Sequence, residues 1–208
     1  MLLQRRELII LGAAALAACN GSGGGASTEG DMAIGAENAP ATLIEYASVT
    51  CSHCAEFHAT VWDQLKTNYI DTGKVRFIFR EYPTAPAQVA VAGFQLARCG
   101  GASPEQYLSR VGILFDQQQA MFASGTFEGV RAKLIEIGAQ AGLGEEQVMN
   151  CINDEAGIAR IQQTVEAGQR QFNITGTPTL VLNGRKLEDP SVMTYPGLSA
   201  AIDAAIAG

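Results

Sequence analysis

A chain of 208 residues, 47% hydrophobic and 17% charged, suits one soluble domain with a sizeable core or one domain carrying an insertion, and is cramped for two. Its 21 acidic against 14 basic residues, a net charge of −7, argue against a nucleic-acid interface and against a polybasic membrane patch. The long apolar run from Leu8 to Ala18 is about half of what spans a bilayer, so no transmembrane helix is expected in the folded part.

That run follows Arg5 and Arg6 and ends in Leu-Ala-Ala-Cys at 16–19, the layout of a bacterial export signal whose end resembles a lipobox. Residues 1–18 are therefore expected to be removed and Cys19 lipidated, which also deepens the acidic excess by taking away Arg5, Arg6 and Glu7. Arg5 to Ile9 also looks somewhat like a twin-arginine signal. The alternatives are cleavage near Ala18 without lipidation, or no export. Residues 20–30, Asn-Gly-Ser-Gly-Gly-Gly-Ala-Ser-Thr-Glu-Gly, extend from Cys19 as a flexible tether with a reach of about 18 Å.

Ala41 to Val49 has the apolar density of a strand buried on both faces, and Cys51 follows at once. From Ser52 the pattern becomes helical, with Phe57, Val61, Leu65 and Tyr69 recurring every four residues until Asp71-Thr72-Gly73 ends it. Lys74 to Pro83 alternates Val75, Phe77 and Phe79 and reads as the next strand. Strand, helix, strand in this order implies a parallel pair joined by a right-handed crossover. From about residue 87 to 172 strand character disappears and helical spacing takes over, with Ser103 before Pro104 as a helix start and Gly142 as a helix stop. The strand pattern resumes at Thr177 to Glu188, where Asn183-Gly184 signals a hairpin. Leu198, Ile202 and Ile206 then mark one face of a final amphipathic helix. The predicted fold class is α/β, with a helical block inserted at about 87–172 into a framework covering 31–208.

Setting Cys19 aside leaves four of the five cysteines, an even number in a chain expected to leave the reducing cytosol, and disulfide chemistry becomes the leading reading. Cys51 and Cys54 lie three apart where a strand hands over to a helix. The unpaired amides and the macrodipole at such a helix start favour a thiolate on Cys51, and the imidazole of His53 can support the same charge. Stabilising the thiolate stabilises the reduced form, so a 51/54 disulfide is inclined to accept electrons, and Cys54 is a resolving thiol at high local concentration. Half of a zinc site and an inert structural bond are the competing readings. A zinc set needs four ligands, only His53, His58, Cys99 and Cys151 are left to complete one, and none forms a second Cys-x-x-Cys. His58 is expected to be a surface or satisfied residue. Glu45, a lone carboxylate on a strand buried on both faces, needs a partner or a task unless it lies at an edge and reaches water. Cys99 and Cys151 either bond to each other or remain two separate buried thiols; the bond would close a loop of about 50 residues and add about 4 kcal/mol in the chain-entropy picture.

A strand, Cys-x-x-Cys at a helix start, a helical insertion and a later Thr-Pro before a hairpin together resemble the DsbA-like branch of the thioredoxin superfamily, the periplasmic thiol oxidases. The resemblance covers about residues 31–208 and implies a thioredoxin-like fold with a helical insertion. It makes Cys51 the attacking thiol, with Cys54, His53, Ser52 and Glu45 as the other residues of the reaction site, Glu45 relaying protons to Cys54. It implies that Gly176 to Thr179 is the cis-proline loop, with Thr177 and Pro178 holding an extended client segment by strand addition. It also implies a structural Cys99–Cys151 bond, since some members carry a second disulfide in this region. Ser52 stands where proline is common and Thr177 where the oxidases often have valine. The implied activity is donation of the 51/54 disulfide to reduced or misfolded secreted proteins, with no cofactor beyond that disulfide and no metal. A DsbB-type membrane oxidase is the implied regenerating partner, and the implied setting is a monomer on the periplasmic side of the envelope that touches the membrane through a lipid anchor alone. The rivals are a disulfide isomerase or reductase on the same fold, which Thr177 before Pro178 favours, and a metal-binding lipoprotein.

Overall fold

The computed structural model describes residues 30–208; the expected export signal at 1–18, Cys19 and the tether up to residue 29 lie outside the described residues. The framework is a sheet of five strands in the order β1-β3-β2-β4-β5. β2 (Ala41–Ala47) is its central strand, parallel to β3 (Val75–Glu81) and antiparallel to β4 (Thr179–Leu182). With neighbours on both sides, β2 is buried almost throughout, which is why its sequence is apolar without alternation. β1 (Met32–Ile34) pairs antiparallel with the far edge of β3; three residues are too short to show a period in the sequence. β4 and β5 (Arg185–Lys186) form the predicted hairpin. Its two turn residues, Asn183 and Gly184, both take positive φ (47° and 76°), the conformation a two-residue hairpin turn needs and asparagine and glycine tolerate.

α1 (Ser52–Phe57) starts directly from Cys51 and continues through a π-helical stretch, His58–Trp62, an α-turn, Asp63–Leu65, and a second π stretch, Lys66–Ile70. The four-residue apolar repeat accounts for this winding. In an ideal α-helix each step of four residues drifts by about 40° around the axis, whereas wider π turns hold the repeat on one face. Phe57, Val61, Leu65 and Tyr69 are all buried. Asp71 and Gly73, the latter at φ 73°, end the helix.

The helical block contains α2 (Ala87–Arg98), α3 (Pro104–Asp116), α4 (Gln118–Phe122), α5 (Phe127–Gln140), α6 (Glu145–Ile152) and α7 (Glu155–Phe172). Ser103 caps α3 with a reciprocal capping box to Gln106, and Pro104 occupies the first turn. Gly142, at φ 77°, follows the end of α5. Cys99, at the end of α2, is bonded to Cys151 in α6 across 52 positions. α8 (Tyr195–Ala207) buries Leu198 and Ile202 against the framework. This is a thioredoxin-like α/β fold with a helical insertion. One core unites sheet and insertion, with Phe77 and Phe79 of β3, Phe94 of α2 and Tyr107 of α3 fully or almost fully buried. At Gly93 a Cβ would come within 2.7 Å of the Val49 side chain, so α2 is seated tightly under the loop that carries Cys51. No helix among the described residues is long and apolar enough to cross a membrane.

Candidate active site

The loop between β2 and α1 is tied from three directions. Ser48, fully buried, accepts through Oγ from the backbone N–H groups of Thr50 and Thr84, and the Thr50 hydroxyl donates to the Thr84 carbonyl at 3.0 Å. The Cys51 N–H closes the turn on the Ser48 carbonyl at 3.0 Å. From the insertion, the buried Gln118 amide donates to the carbonyls of both Val49 (2.9 Å) and Cys51 (3.1 Å). From the other side, the Thr177–Pro178 loop, whose peptide bond is cis, brings the Thr177 carbonyl to 3.4 Å from Cys51 Sγ.

Held this way, Cys51 has an extended backbone and is the N-cap of α1, its Sγ accepting from the Cys54 N–H at 3.4 Å. Cys51 and Cys54 carry free thiols. The Cys51 thiol is lowered from 9.0 to about 5. The largest cause is the hydrogen bond from the Cys54 side chain; partial burial opposes it, and the Thr177 hydroxyl and the N–H groups of Cys54 and His53 add to it. The Thr177 Oγ is buried and makes no hydrogen bond in the fold, so its proton is free to turn toward the thiolate. Cys54, fully buried, is pushed far up, first by burial, then by the hydrogen bond to Cys51 and the charge of Glu45. With a value near 5, thiolate outnumbers thiol on Cys51 about a hundredfold at pH 7. The site is an asymmetric pair, with an outward sulfur held as thiolate and an inward thiol that keeps its proton.

The structure brings Glu45 beneath this pair. It lies at the middle of the central strand, opposite Phe79 of β3 and Leu180 of β4, with no exposed surface, so the edge position is excluded. Its Oε2 lies 3.2 Å from His58 Nε2, while Oε1 is buried without a partner. His58, expected to be a surface or satisfied residue, is the satisfied kind, stacked on Trp62 and flanked by Phe115. Its spacing of four from Cys54 on one helix was the available signal. Ser52 and His53 are exposed in the first turn of α1. The His53 ring sits in solvent with Nδ1 3.6 Å from Glu56, and its contribution to Cys51 comes through its backbone N–H. Cys99 and Cys151, the thiols that could have completed a zinc set with Cys51 and Cys54, are bonded to each other in the insertion. Gln118, Ser48, Thr50 and Thr84 escaped the sequence reading because nothing local marks a polar side chain that will meet a distant carbonyl. A groove of about 760 Å³ opens between α1 and the Thr177–Pro178 loop, lined by His53, Phe57, Pro178, Met193 and Tyr195 among others.

The family model described as thioredoxin matches residues 27–204. A Rickettsia bellii protein provisionally named protein-disulfide oxidoreductase is 33% identical over 182 residues, covering 86% of this chain and 65% of that protein. Its Rickettsia prowazekii counterpart is 29% identical over 178 residues, covering 86% and 62%. The chain thus spans a little under two thirds of the length of these relatives. Among solved structures, Wolbachia pipientis alpha-DsbA1 superposes with a TM-score of 0.74 at 25% identity, covering 87% of this chain and 93% of that one. Oxidised BdbD from Bacillus subtilis shares the fold at a TM-score of 0.73 and 18% identity, covering 88% and 96%.

Proposed function

Since the chain belongs to the thioredoxin family, in its DsbA-like branch, we propose that it is a protein thiol:disulfide oxidoreductase that donates the Cys51–Cys54 disulfide to reduced client proteins. The observation that carries this reading is the asymmetry of the pair, with Cys51 lowered to about 5 and Cys54 raised. A client thiolate attacks Cys51 of the oxidised site; the client–Cys51 bond forms, the Cys51–Cys54 bond breaks, and Cys54 leaves with the electron pair and takes up a proton. A second client thiolate then attacks the client sulfur of the mixed disulfide, forming the client disulfide and releasing Cys51 as the thiolate that α1, Cys54 and Thr177 hold. The client is oxidised by two electrons and the site reduced by two. The release step runs forward because Cys51 is a good leaving group.

The Thr177–Pro178 loop and the adjoining groove hold an extended client segment beside Cys51, the loop through its backbone and the groove through apolar side chains. Glu45 serves as the buried group that exchanges a proton with Cys54, consistent with its charge being felt there. Reoxidation falls to a DsbB-type membrane partner, and the protein works as a monomer on the periplasmic side after export, anchored through Cys19. The hydroxyl of Thr177 beside the thiolate favours a second reading, disulfide isomerisation or reduction from the same site.

Equilibration with glutathione buffers, together with alkylation of Cys51 as a function of pH, tests the assignment. An oxidase shows a potential on the oxidising side of glutathione and an alkylation midpoint near 5; a Cys51 that titrates like free cysteine overturns it. Turnover on a scrambled substrate, in the absence of net oxidation of a reduced one, moves the assignment to the isomerase reading.

A further inference from the structure

Cys54 exchanges a proton in each half of the proposed cycle, and it is completely buried. Glu45, the charge that Cys54 feels, is equally cut off, its side chain 0% exposed. A proton moved by Glu45 therefore needs a second group that reaches water. One hydrogen bond leads outward from the carboxylate, Oε2 to His58 Nε2 at 3.2 Å, and the His58 side chain retains 7% of its exposure. Resting on the oxidoreductase reading, we infer that His58 is the outer step of a proton path running from solvent through His58 and Glu45 to Cys54.

The surroundings fit an imidazole that must hold one orientation while passing a proton. His58 is stacked on Trp62 of its own helix at 5.0 Å and 22°, and lies 4.5 Å from the Phe115 ring of α3. Phe57 beside it and Phe79 of β3 meet it edge-on at 6.2 and 6.4 Å. These rings carry no charge; the titratable group that faces His58 is Glu45 from β2, and Glu45 is in turn felt by Cys54 from α1. An imidazole has one nitrogen to face the carboxylate and another to exchange with water, which an amide cannot imitate. The unpartnered Glu45 Oε1 leaves that carboxylate with a second oxygen for the thiol side. During client oxidation Cys54 leaves as a thiolate and gains the proton that enters by His58. During regeneration the proton departs by the same route. His58 acts through Glu45 and is a positioning residue for it.

The test is pre-steady-state oxidation of a reduced dithiol peptide by the oxidised full chain between pH 5 and 8. H58Q, which keeps a hydrogen bond to Glu45 but cannot relay, is expected to be slower by on the order of tenfold or more with a flattened pH profile. H58A is expected to regain rate as imidazole is added. A wild-type rate and pH profile in H58Q overturns the inference, as does an H58A defect that imidazole leaves unchanged. Ring ¹⁵N signals of His58 in the wild-type chain, expected to differ between oxidised and reduced forms, supply a readout independent of variant folding, and identical spectra count against the relay. A wild-type chain that leaves the peptide reduced overturns the oxidoreductase reading itself, whereas an active wild type with an indifferent H58Q overturns the relay alone.

Discussion

Two cysteine pairs occupy this molecule, and they sit at opposite ends of helices. Cys51 is the N-cap of α1, where unpaired N–H groups and the positive end of the macrodipole welcome a thiolate. Cys99 is the C-cap of α2, at the negative end, where a thiolate would be repelled. Cys51 and Cys54 are separated by two residues and carry free thiols, one half-buried and one buried. Cys99 and Cys151 are 52 apart and bonded, stapling α2 to α6. A disulfide that closes a long loop between packed helices removes much unfolded-chain entropy, whereas a three-residue link removes little and is free to be spent on chemistry. The same side chain is thus suited to be a staple or a reagent according to helix polarity and loop length.

The contrast can be broken first at the reagent. C51A is expected to abolish peptide dithiol oxidation, by on the order of a thousandfold or more. C54A, offered a disulfide-bonded client peptide, is expected to accumulate a client–Cys51 mixed disulfide visible on non-reducing gels, the Cys51 thiolate attacking the client disulfide and releasing one client thiolate. If either variant turns over like the wild type, the assignment of reagent and staple is wrong. The double variant C99A/C151A should instead lose stability by about 4 kcal/mol in a urea titration, with the Cys51 alkylation midpoint still near 5. A midpoint that follows the loss of the staple would show that the two regions are coupled.

The pH dependence of stability sharpens the comparison. In the reduced fold Cys51 titrates near 5 against an ordinary 9.0, so the folded form releases its proton first. The resulting stabilisation is complete above the unfolded value, shrinks as the pH falls between the two, and is gone once the pH drops through the folded value. The stability of the reduced chain relative to the oxidised one is therefore expected to rise from about pH 5 to about pH 9, measured by paired thermal melts. The same melts on chains that differ only at the 99–151 bond should show no such slope. The smallest effect is expected for T177V, which removes the hydroxyl that supports the thiolate and should raise the alkylation midpoint by about one unit. An unmoved midpoint would assign that support to the helix and Cys54 alone.

Much of the fold was legible because it is written in periods. Apolar density in β2, the four-residue repeat that starts at Phe57, the Ser103-Pro104 start and the Asn183-Gly184 turn each report on neighbours within one element. β1 was not legible, since Met32–Ile34 is too short to carry a period, and the four-residue repeat announced a helix without separating α from π winding. In the site, Cys51 and Cys54 could be paired from their spacing, while the place of Thr177 beside them came from family resemblance.

The sequence by itself determined the local electrostatics of this protein, a cysteine where a strand becomes a helix, with a second cysteine one turn on. Covalent adjacency guarantees that arrangement, since a helix beginning at Ser52 must aim its free N–H groups at residue 51. Only the tertiary structure decided what surrounds it. Gln118 reaches the Cys51 carbonyl across 67 positions, Thr177 meets the Cys51 sulfur across 126, and Glu45 finds His58 because strand order and helix winding turn both side chains into the same apolar space. Such meetings depend on register and packing angle, which no short stretch of sequence encodes.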